Sequence, residues 1–445
     1  MMAPQRPNRL FRFASLCVSV LLTMGGVELI LRLRWLKGAA IGAGLEHPHF
    51  HHRLKSSHTY HYPSKLHEFD VHIRTNRFGL RGPDPVLPKP AGTIRILMLG
   101  DSYTFGFPVQ DDETFCALIE QGLKAKGFPV DVVNAGVSSY SPTLHYISLR
   151  DEFLAFDPDL VVLWYDLGDL QDDYRYQKNL LYDASGRIVG CDPRYVNGRF
   201  DWREWAKTHS ALASYLDKKV WRTMEKLQVL GLRGYLQAIL HGERAKVAIG
   251  RLKGKQVASD LLDYEGFLLV REFATEELIK PYWSVSAKSL IMIRDLLAQR
   301  QIPFVLGIYP YGMLVGPDQW AEGRVYWGFE KGKTYDGTLA LATFTRFSAE
   351  EHVPLINTFE SFRAAAQSAK LFYDWDGHMT PEGQRVLAAH VLQDPQFLAL
   401  LRQQATTEPK PRSLDSPHGL WPWARSGFHP TGDQKGTTGS ARGAP

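Results

Sequence analysis

The sequence predicts a doubly wound α/β domain with a parallel sheet. Three observations support this class: short apolar runs of strand length, helical segments between them, and apolar residues that are continuous rather than alternating. The runs are residues 93–100, 130–136, 160–168, 303–310 and 354–359. Ligands of such folds bind at the carboxyl ends of the strands, so functional residues are expected directly after these runs.

Residues 13–31 are mostly apolar over nearly the ~20 residues that a bilayer-spanning helix needs. Glu28 lies near the end of this run, where a carboxylate can reach the interface. We therefore expect a single transmembrane anchor, with residues 1–12 in the cytoplasm. A cleaved signal peptide is the alternative, because three arginines precede the run, but no A-x-A site follows it. Basic residues on both sides leave the orientation undecided by charge alone.

Residues 32–92 contain, between positions 47 and 72, half of the 16 histidines of the chain. No carboxylate or cysteine pattern accompanies them to define a metal geometry. We interpret the segment as an exposed, weakly structured stalk that ends in a short hairpin at residues 71–82.

The main domain is expected over residues 93–402, with a helical insertion at about residues 175–280 between the third and fourth strands. Residues 221–255 of the insertion are strongly basic, which we interpret as a solvated helix face; contact with anionic lipid or an acidic glycan is the alternative. Residues 403–445 are rich in Pro, Gly, Ser and Thr and are expected to be disordered.

The composition excludes several classes of function. The 445 residues are 44% hydrophobic and 22% charged, which is typical of a globular protein. The net charge of +5 arises from 52 basic and 47 acidic residues, too small an excess for a nucleic-acid-binding protein. Three distant cysteines without CxxC spacing predict neither a zinc site nor a disulfide framework. We expect no metal and no cofactor.

Ser102 lies in the sequence GDSYTFG, directly after the first strand and before the first helix. A tight strand-to-helix turn exposes its hydroxyl near helical N–H groups, where developing negative charge is favoured. A phosphate-binding loop would need GxxxxGK[ST], which this segment lacks. Ser102 is therefore a candidate nucleophile; the alternative is that Asp101 and Ser102 only cap the turn.

The sequence FYDWDGHMTPEG, near the end of the domain, contains Asp374, Asp376 and His378. A serine hydroxyl needs an imidazole to accept its proton and a carboxylate to orient that imidazole. Alone, this segment is also compatible with a turn and a surface histidine. Together with a serine after the first strand, it indicates a catalytic triad.

These motifs resemble those of the SGNH/GDSL family of serine esterases and acyl hydrolases, over residues 93–170 and 283–395. GDSYTFG, VVNAGVSSYSP and DGHMTPEG are similar to three of the family's blocks. The resemblance implies that Ser102 is the nucleophile and His378 the general base. It also implies that the N–H groups of Ser102 and Gly136 bind the oxyanion. Membrane-anchored and polysaccharide O-acetyl relatives often use Asp-x-His, which implies Asp376, with Asp374 in reserve.

The third block departs from the family pattern, because Gly168 replaces the usual asparagine and Asp169 follows it. Loss of one oxyanion donor typically lowers turnover about 10²–10³-fold. The four aspartates at positions 166, 169, 172 and 173 suggest a cation site, but we interpret them as an exposed acidic loop. After the fourth strand, Trp320, Tyr326 and Trp327 are expected at the rim of the active site, where they could stack on sugars.

These features lead to a first hypothesis, a membrane-tethered serine esterase that removes an acyl group, in particular acetyl, from a carbohydrate or similar ester. The second hypothesis is an O-acyltransferase of cell-surface polysaccharide with the same triad. The third is a catalytically weak binding factor, motivated by Gly168. The anchor and the resemblance together imply a domain on the periplasmic side of the cytoplasmic membrane.

Overall fold

The computed structural model describes residues 9–37, 45–64, 66–217, 220 and 267–406. The start of the predicted cytoplasmic segment, the basic stretch at residues 221–255 and the predicted tail beyond residue 406 lie outside the described residues.

Thirteen strands occur among the described residues. They are β1 (Leu45–His47), β2 (His51–Arg53), β3 (Thr59–Pro63), β4 (Asp70–Arg74), β5 (Ile94–Gly100), β6 (Val130–Gly136), β7 (Leu160–Tyr165), β8 (Leu180–Tyr182), β9 (Ile188–Cys191), β10 (Tyr195–Val196), β11 (Arg199–Phe200), β12 (Phe304–Ile308) and β13 (Leu355–Asn357).

The helices of the same residues alternate with the longer strands. They are α1 (Arg9–Lys37), α2 (Ser102–Phe105), α3 (Phe115–Ala125), α4 (Pro142–Asp151), α5 (Asp169–Tyr176), α6 (Trp202–His209), α7 (Glu276–Ala298), α8 (Gly312–Val315), α9 (Thr338–Glu351), α10 (Phe359–Ala365), α11 (Pro381–Val391) and α12 (Pro395–Thr406). Residues 211–217 are also helical.

The central sheet has five parallel strands in the order β13-β12-β7-β5-β6. Every residue of β5 and β7 is buried, because helices cover both faces of the sheet. The chain leaves β5 for β6 on one side and then returns to β7 on the other. This reversal is the point at which doubly wound folds form their sites. The predicted doubly wound parallel sheet is confirmed.

The segment that begins at residue 45 packs against the domain. β3 and β4 form an antiparallel hairpin in which Tyr60, Val71 and Ile73 are buried. These side chains join a second core cluster that includes Phe105 and Tyr140 from the main domain. The expectation of an exposed, weakly structured stalk is therefore wrong for residues 45–64, because apolar residues between the histidines are buried against the domain.

Helix α1 contains an apolar span, Phe13–Leu33, of 21 residues with a mean hydropathy of 2.0. It is the one helix among the described residues that is long and apolar enough to cross a membrane. None of its most apolar part is buried against the rest of the chain. An N-terminal helix of this kind is consistent with a membrane anchor or a signal sequence.

Candidate active site

The turn between β5 and α2 places Ser102 at the first position of the helix. Asp101 caps α2 by accepting a hydrogen bond from the N–H of Tyr103 at 2.9 Å. A Cβ atom on Gly100 would lie 2.1 Å from Thr104 Oγ1, so the turn can close this tightly only with glycine at that position. The sequence around Ser102 thus folds into the expected strand-to-helix turn.

Three predicted site residues from the two ends of the domain meet above this turn. Ser102 Oγ lies 2.9 Å from His378 Nε2, and His378 Nδ1 lies 2.5 Å from Asp376 Oδ1. Ser102 Oγ is also 3.1 Å from Asp101 Oδ2. His378 and Asp376 retain side-chain exposures of 22% and 24%, so a substrate can reach the site from solvent. The order hydroxyl, imidazole, carboxylate is the one that activates a serine nucleophile.

The loop that carries His378 is held by close contacts with its surroundings. The N–H of Tyr373 donates to the carbonyl of His378 at 3.0 Å, and Tyr103 Oη donates to the carbonyl of Gly377 at 3.0 Å. Gly377 has a φ of +88°, and a Cβ atom there would lie 2.5 Å from Trp320. Both the left-handed backbone and the contact with the indole require glycine.

Asp374, the reserve candidate, is directed away from the imidazole. Its carboxylate pairs with Lys370 Nζ at 2.6 Å and accepts from the N–H of Ala321 at 3.3 Å. Of the two aspartates, only Asp376 bonds to His378.

The charges around His378 favour its protonated form. Burial lowers the pKa of the imidazole, but the carboxylate of Asp376, with smaller contributions from Asp101 and Asp166, outweighs this effect and leaves the pKa above its ordinary value. For Asp376, burial raises the pKa and the imidazole outweighs it, so the pKa is lowered. The carboxylate of Asp376 therefore stabilises a protonated His378, and the imidazolium in turn stabilises the ionised carboxylate.

A cluster of buried carboxyl groups lies directly beneath Ser102. Tyr309 Oη is within hydrogen-bond distance of both Asp101 Oδ1 (3.0 Å) and Asp166 Oδ2 (3.2 Å). Tyr311 Oη donates to the other oxygen of Asp166. Burial and the neighbouring Asp101 raise the pKa of Asp166 to about 7.

The aspartates after β7 are not the exposed acidic loop that the sequence predicted. Asp166, Asp169 and Asp173 are buried, and their carboxylates accept hydrogen bonds from other groups of the protein. Asp169 accepts from the N–H of Asp166 at 3.2 Å, and Asp173 accepts from Ser141 Oγ at 2.6 Å and from the N–H of Thr143 at 2.8 Å. Among the described residues no group of three potential ligands could hold a metal ion.

Two glycines of the predicted oxyanion region have their N–H groups already engaged. The N–H of Gly136 donates to Asn134 Oδ1 at 3.0 Å, and that of Gly168 donates to Asp166 Oδ1 at 2.6 Å. A Cβ atom on Gly136 would lie 2.3 Å from the backbone nitrogen of Phe105. Gly136 thus permits the close approach of β6 to α2, and its N–H is not free for a substrate, contrary to expectation.

Ser139, which the sequence did not single out, offers a different donor. It is exposed, has a φ of +62°, and its carbonyl accepts from Tyr176 Oη at 2.7 Å. Within the described parts of the chain, the N–H groups of Ser102 and Ser139 have no hydrogen-bond partner. The loop of Ser139 begins beside the nucleophile turn, because Val137 donates to the carbonyl of Gly100 at 2.9 Å. Serine rarely adopts a left-handed backbone, and nothing in the sequence predicts that Ser139 does so.

The predicted aromatic rim is only partly at the surface. Trp320 is buried beneath Gly377, so it supports the loop that carries His378 and cannot stack on a substrate. Trp327 is 50% exposed, and Tyr326 is half-buried with its ring centroid 6.0 Å from that of Trp375. Trp375, which the sequence analysis did not propose for the rim, directly precedes Asp376 and extends this aromatic surface to the triad.

Glu68 is the third residue that sequence reasoning missed, after Ser139 and Trp375. Its carboxylate accepts hydrogen bonds from the N–H groups of Trp375 (2.8 Å) and Asp376 (3.2 Å). It lies between β3 and β4, in the segment that was expected to be an exposed stalk.

No family model matches the chain, and no curated protein matches it. Solved structures to which it is similar include an acetyl xylan esterase named AlAXEase, 14% identical over 67% of this chain and 97% of that chain, with a TM-score of 0.33. An acetylxylan esterase from Geobacillus stearothermophilus is 12% identical over 69% of this chain and 94% of that chain, with a TM-score of 0.32. A lipolytic protein of the G-D-S-L family from Desulfitobacterium hafniense is 11% identical over 67% of this chain and 98% of that chain, with a TM-score of 0.30.

Proposed function

We propose that this protein is a serine hydrolase of the SGNH/GDSL type that cleaves acyl esters. The observation that carries the proposal is the chain of hydrogen bonds from Ser102 through His378 to Asp376, with lengths of 2.9 and 2.5 Å. It is supported by the location of Ser102, at the carboxyl end of the first sheet strand and the start of a helix.

In the proposed reaction, Ser102 Oγ attacks the ester carbonyl while His378 Nε2 accepts the hydroxyl proton. The imidazolium formed is stabilised by Asp376 and returns the proton to the departing alcohol, which leaves an acyl group on Ser102. A water molecule then gives its proton to His378 and attacks the acyl carbonyl. As the second intermediate collapses, His378 returns this proton to Ser102 Oγ, which releases the carboxylic acid and restores the serine.

We assign the oxyanion donors to the N–H groups of Ser102 and Ser139. Both lack a partner among the described residues, and they follow the neighbouring strands β5 and β6. Two backbone donors are enough to stabilise a tetrahedral intermediate. A third, side-chain donor of the kind that asparagine supplies in the resembled family is missing at Gly168, so we expect slow turnover.

The substrate that fits best is a small acyl group on a carbohydrate. The rings of Tyr103 and Phe107 pack 4.7 and 5.2 Å from that of His378, which favours a short chain such as acetyl. The exposed Trp327 and the half-buried Trp375 provide aromatic faces on which a sugar can stack. We further propose that α1 is a single-pass anchor and that the catalytic domain lies on the periplasmic side.

The test is fluorophosphonate labelling of the full chain in detergent, followed by intact mass measurement. We expect the wild type to gain one adduct, and Ser102→Ala and His378→Ala to gain none. Asp374→Asn serves as the matched control and should label like the wild type. Folded wild type that takes up no label would reject the hydrolase and favour a binding factor. If the wild type takes up the label, unlabelled wild type that transfers acetyl from an aryl acetate to an added sugar faster than to water would identify a transferase instead.

A further inference from the structure

The carboxylate of Glu28 lies within the apolar span of α1 and is hydrogen-bonded to residues 210–212 of the insertion. It accepts hydrogen bonds from Ser210 Oγ (2.8 Å) and from the N–H groups of Ala211 (2.9 Å) and Leu212 (2.7 Å). These N–H groups begin the helical residues 211–217, so Glu28 supplies a carboxylate cap from another part of the chain. Glu28, the acidic residue that interrupts the apolar run, thus has hydrogen-bond donors for its carboxylate within the protein.

Arg32 adds a second connection one turn further along α1. Its guanidinium pairs with Glu28 at 2.6 Å and donates to the carbonyl of His209, the last residue of α6. The ring of His209 stacks on Trp205 with centroids 4.5 Å apart. The end of α6, the start of residues 211–217 and the polar end of the anchor are thus joined at one point.

The position of this junction along the anchor defines its depth in a bilayer. Glu28 precedes Leu33, where the apolar span ends, by little more than one helical turn. At 1.5 Å per residue, this places the contact about 7 Å below the end of the span. Amphipathic helices that bind membrane surfaces are buried to about 5–10 Å, at the same level.

Helix α6 and the helical residues 211–217 expose apolar side chains on their outer face, whereas polar side chains form ion pairs between the two segments. Trp202 and Trp205 are 66% and 43% exposed on one face of α6, and the adjoining residues 211–217 expose Tyr215 and Leu216 by 47% and 49%. Trp and Tyr are enriched at membrane–water interfaces.

The polar partners lie between the segments. Lys207 of α6 pairs with Glu204 at 2.7 Å and with Asp217 of the second segment at 3.3 Å. In a water-exposed helix pair the arrangement would be the reverse, with the aromatic rings between the helices and the charges outside. The sequence that follows, residues 221–255, contains eight Lys or Arg and two Glu, which complements anionic headgroups.

We propose that α6 and residues 211–217 form a lipid-binding element that lies in the interface of the bilayer holding α1, with its aromatic face in the headgroup layer. The proposal rests on the proposed anchoring by α1. Such an element would hold the active site at a fixed height above the membrane.

The test uses the full chain in vesicles of phosphatidylethanolamine and phosphatidylglycerol, with Cys17 replaced by serine. An environment-sensitive fluorophore is attached at one engineered cysteine, Trp205→Cys or Trp202→Cys. Matched controls carry it at Leu22→Cys, in the middle of the apolar span, and at Glu360→Cys on α10, whose side chain is 80% exposed. We expect lipids with a shallow spin label to quench the α6 positions, lipids with a deep label to quench position 22, and neither to quench position 360.

The Glu28→Ala variant should lose shallow quenching at position 205 and keep deep quenching at position 22. If neither lipid quenches the label at position 205 or 202 while the deep label quenches position 22, the proposal is overturned and the anchoring by α1 still holds. Absence of deep quenching at position 22 shows instead that the anchoring itself is wrong. Protection of position 205 from aqueous iodide without quenching by lipid would show that protein covers this face, which also overturns the proposal.

Discussion

The carboxylate of Glu68 accepts a hydrogen bond from the backbone N–H of Asp376 at 3.2 Å, although the two residues are 308 positions apart. The other carboxylate oxygen accepts from the N–H of Trp375 at 2.8 Å, and the ring of Phe69 contacts that of Tyr373 at a centroid distance of 5.2 Å. The hairpin of β3 and β4 thereby holds the loop that carries Asp376 and His378. The N-terminal segment is a structural part of the site.

We predict that Glu68→Ala lowers kcat about 10–100-fold with little change in KM, because displacement of the Asp376 loop misaligns His378. Glu68→Gln keeps one acceptor oxygen and should recover most of the activity. Steady-state kinetics on an aryl acetate tests this, with Glu360→Ala, a surface glutamate on α10, as the control. A change in KM alone, or a Gln variant as poor as Ala, would contradict a positioning role.

The two aspartates before the histidine should differ sharply on amide substitution. Asp376→Asn removes the charge 2.5 Å from His378 Nδ1 and is expected to lower kcat about 10³–10⁴-fold. Asp374→Asn removes a charge paired with Lys370 and should leave kcat within about twofold of the wild type. Circular dichroism checks the fold of both variants. Equal losses would mean that the assignment of the triad carboxylate is incorrect.

Much of this arrangement could be predicted from the sequence, because local signals carried it. Continuous apolar runs identify buried parallel strands, and Asp-x-His followed by Thr-Pro identifies a turn before a helix. These signals predict that Ser102 and His378 lie near the carboxyl edge of the sheet, whereas the choice of Asp376 over Asp374 came from the resemblance to the SGNH/GDSL family. Both motifs depend on residues adjacent in the chain, which a single sequence displays.

The remainder depends on contacts between segments distant in sequence. Nothing near Glu68 indicates that its carboxylate meets two N–H groups of the catalytic loop. The burial of Asp173 similarly depends on donors about 30 residues away, Ser141 and Thr143, so the acidic composition of this segment alone suggested exposure. The bond between Gly136 and Asn134 spans only two residues, yet it depends on a side-chain rotamer that the sequence does not specify.

The pH dependence of kcat/KM should follow His378. The base must be neutral to accept the serine proton, and its pKa lies above the ordinary value of 6.5 because Asp376 outweighs the effect of burial. Activity is therefore expected to rise with pH and to level off only above that value. In Asp376→Asn burial remains without the ion pair, so the midpoint should move to lower pH while the plateau falls. An unchanged midpoint would show that another group controls the profile.

Gly168→Asn should increase turnover. The glycine has φ −80° and ψ −20° at the N-cap of α5, a conformation and position that asparagine adopts readily. Its side chain would add the donor expected from the resembled family, and one such donor is worth up to about 10²–10³-fold in kcat. Gly168→Ala controls for the added Cβ. If both variants turn over like the wild type, position 168 does not reach the oxyanion.

The buried pair of Asp101 and Asp166 should make the protein less stable as the pH rises. Burial and the charge of Asp101 raise the pKa of Asp166 to about 7, whereas an unfolded aspartate titrates near its ordinary value of 3.8. Between these values the folded state binds more protons than the unfolded state, so the free energy of unfolding falls as the pH increases through this window.

Asp166→Asn removes this titration. Its amide oxygen can accept from Tyr311 and from the N–H of Gly168, and its NH₂ can donate to Tyr309, whose hydroxyl then donates to Asp101. Urea unfolding should show the stability of the variant relative to the wild type increasing by on the order of 2 kcal/mol between about pH 5 and about pH 8, because over most of this range Asp166 stays protonated in the folded state and is ionised in the unfolded state. Asp318→Asn, at an exposed position, should show no such difference between the two pH values. A gain that is equal at both would indicate improved packing instead, since the loss of this titration makes the gain grow with pH wherever the folded state binds more protons than the unfolded state.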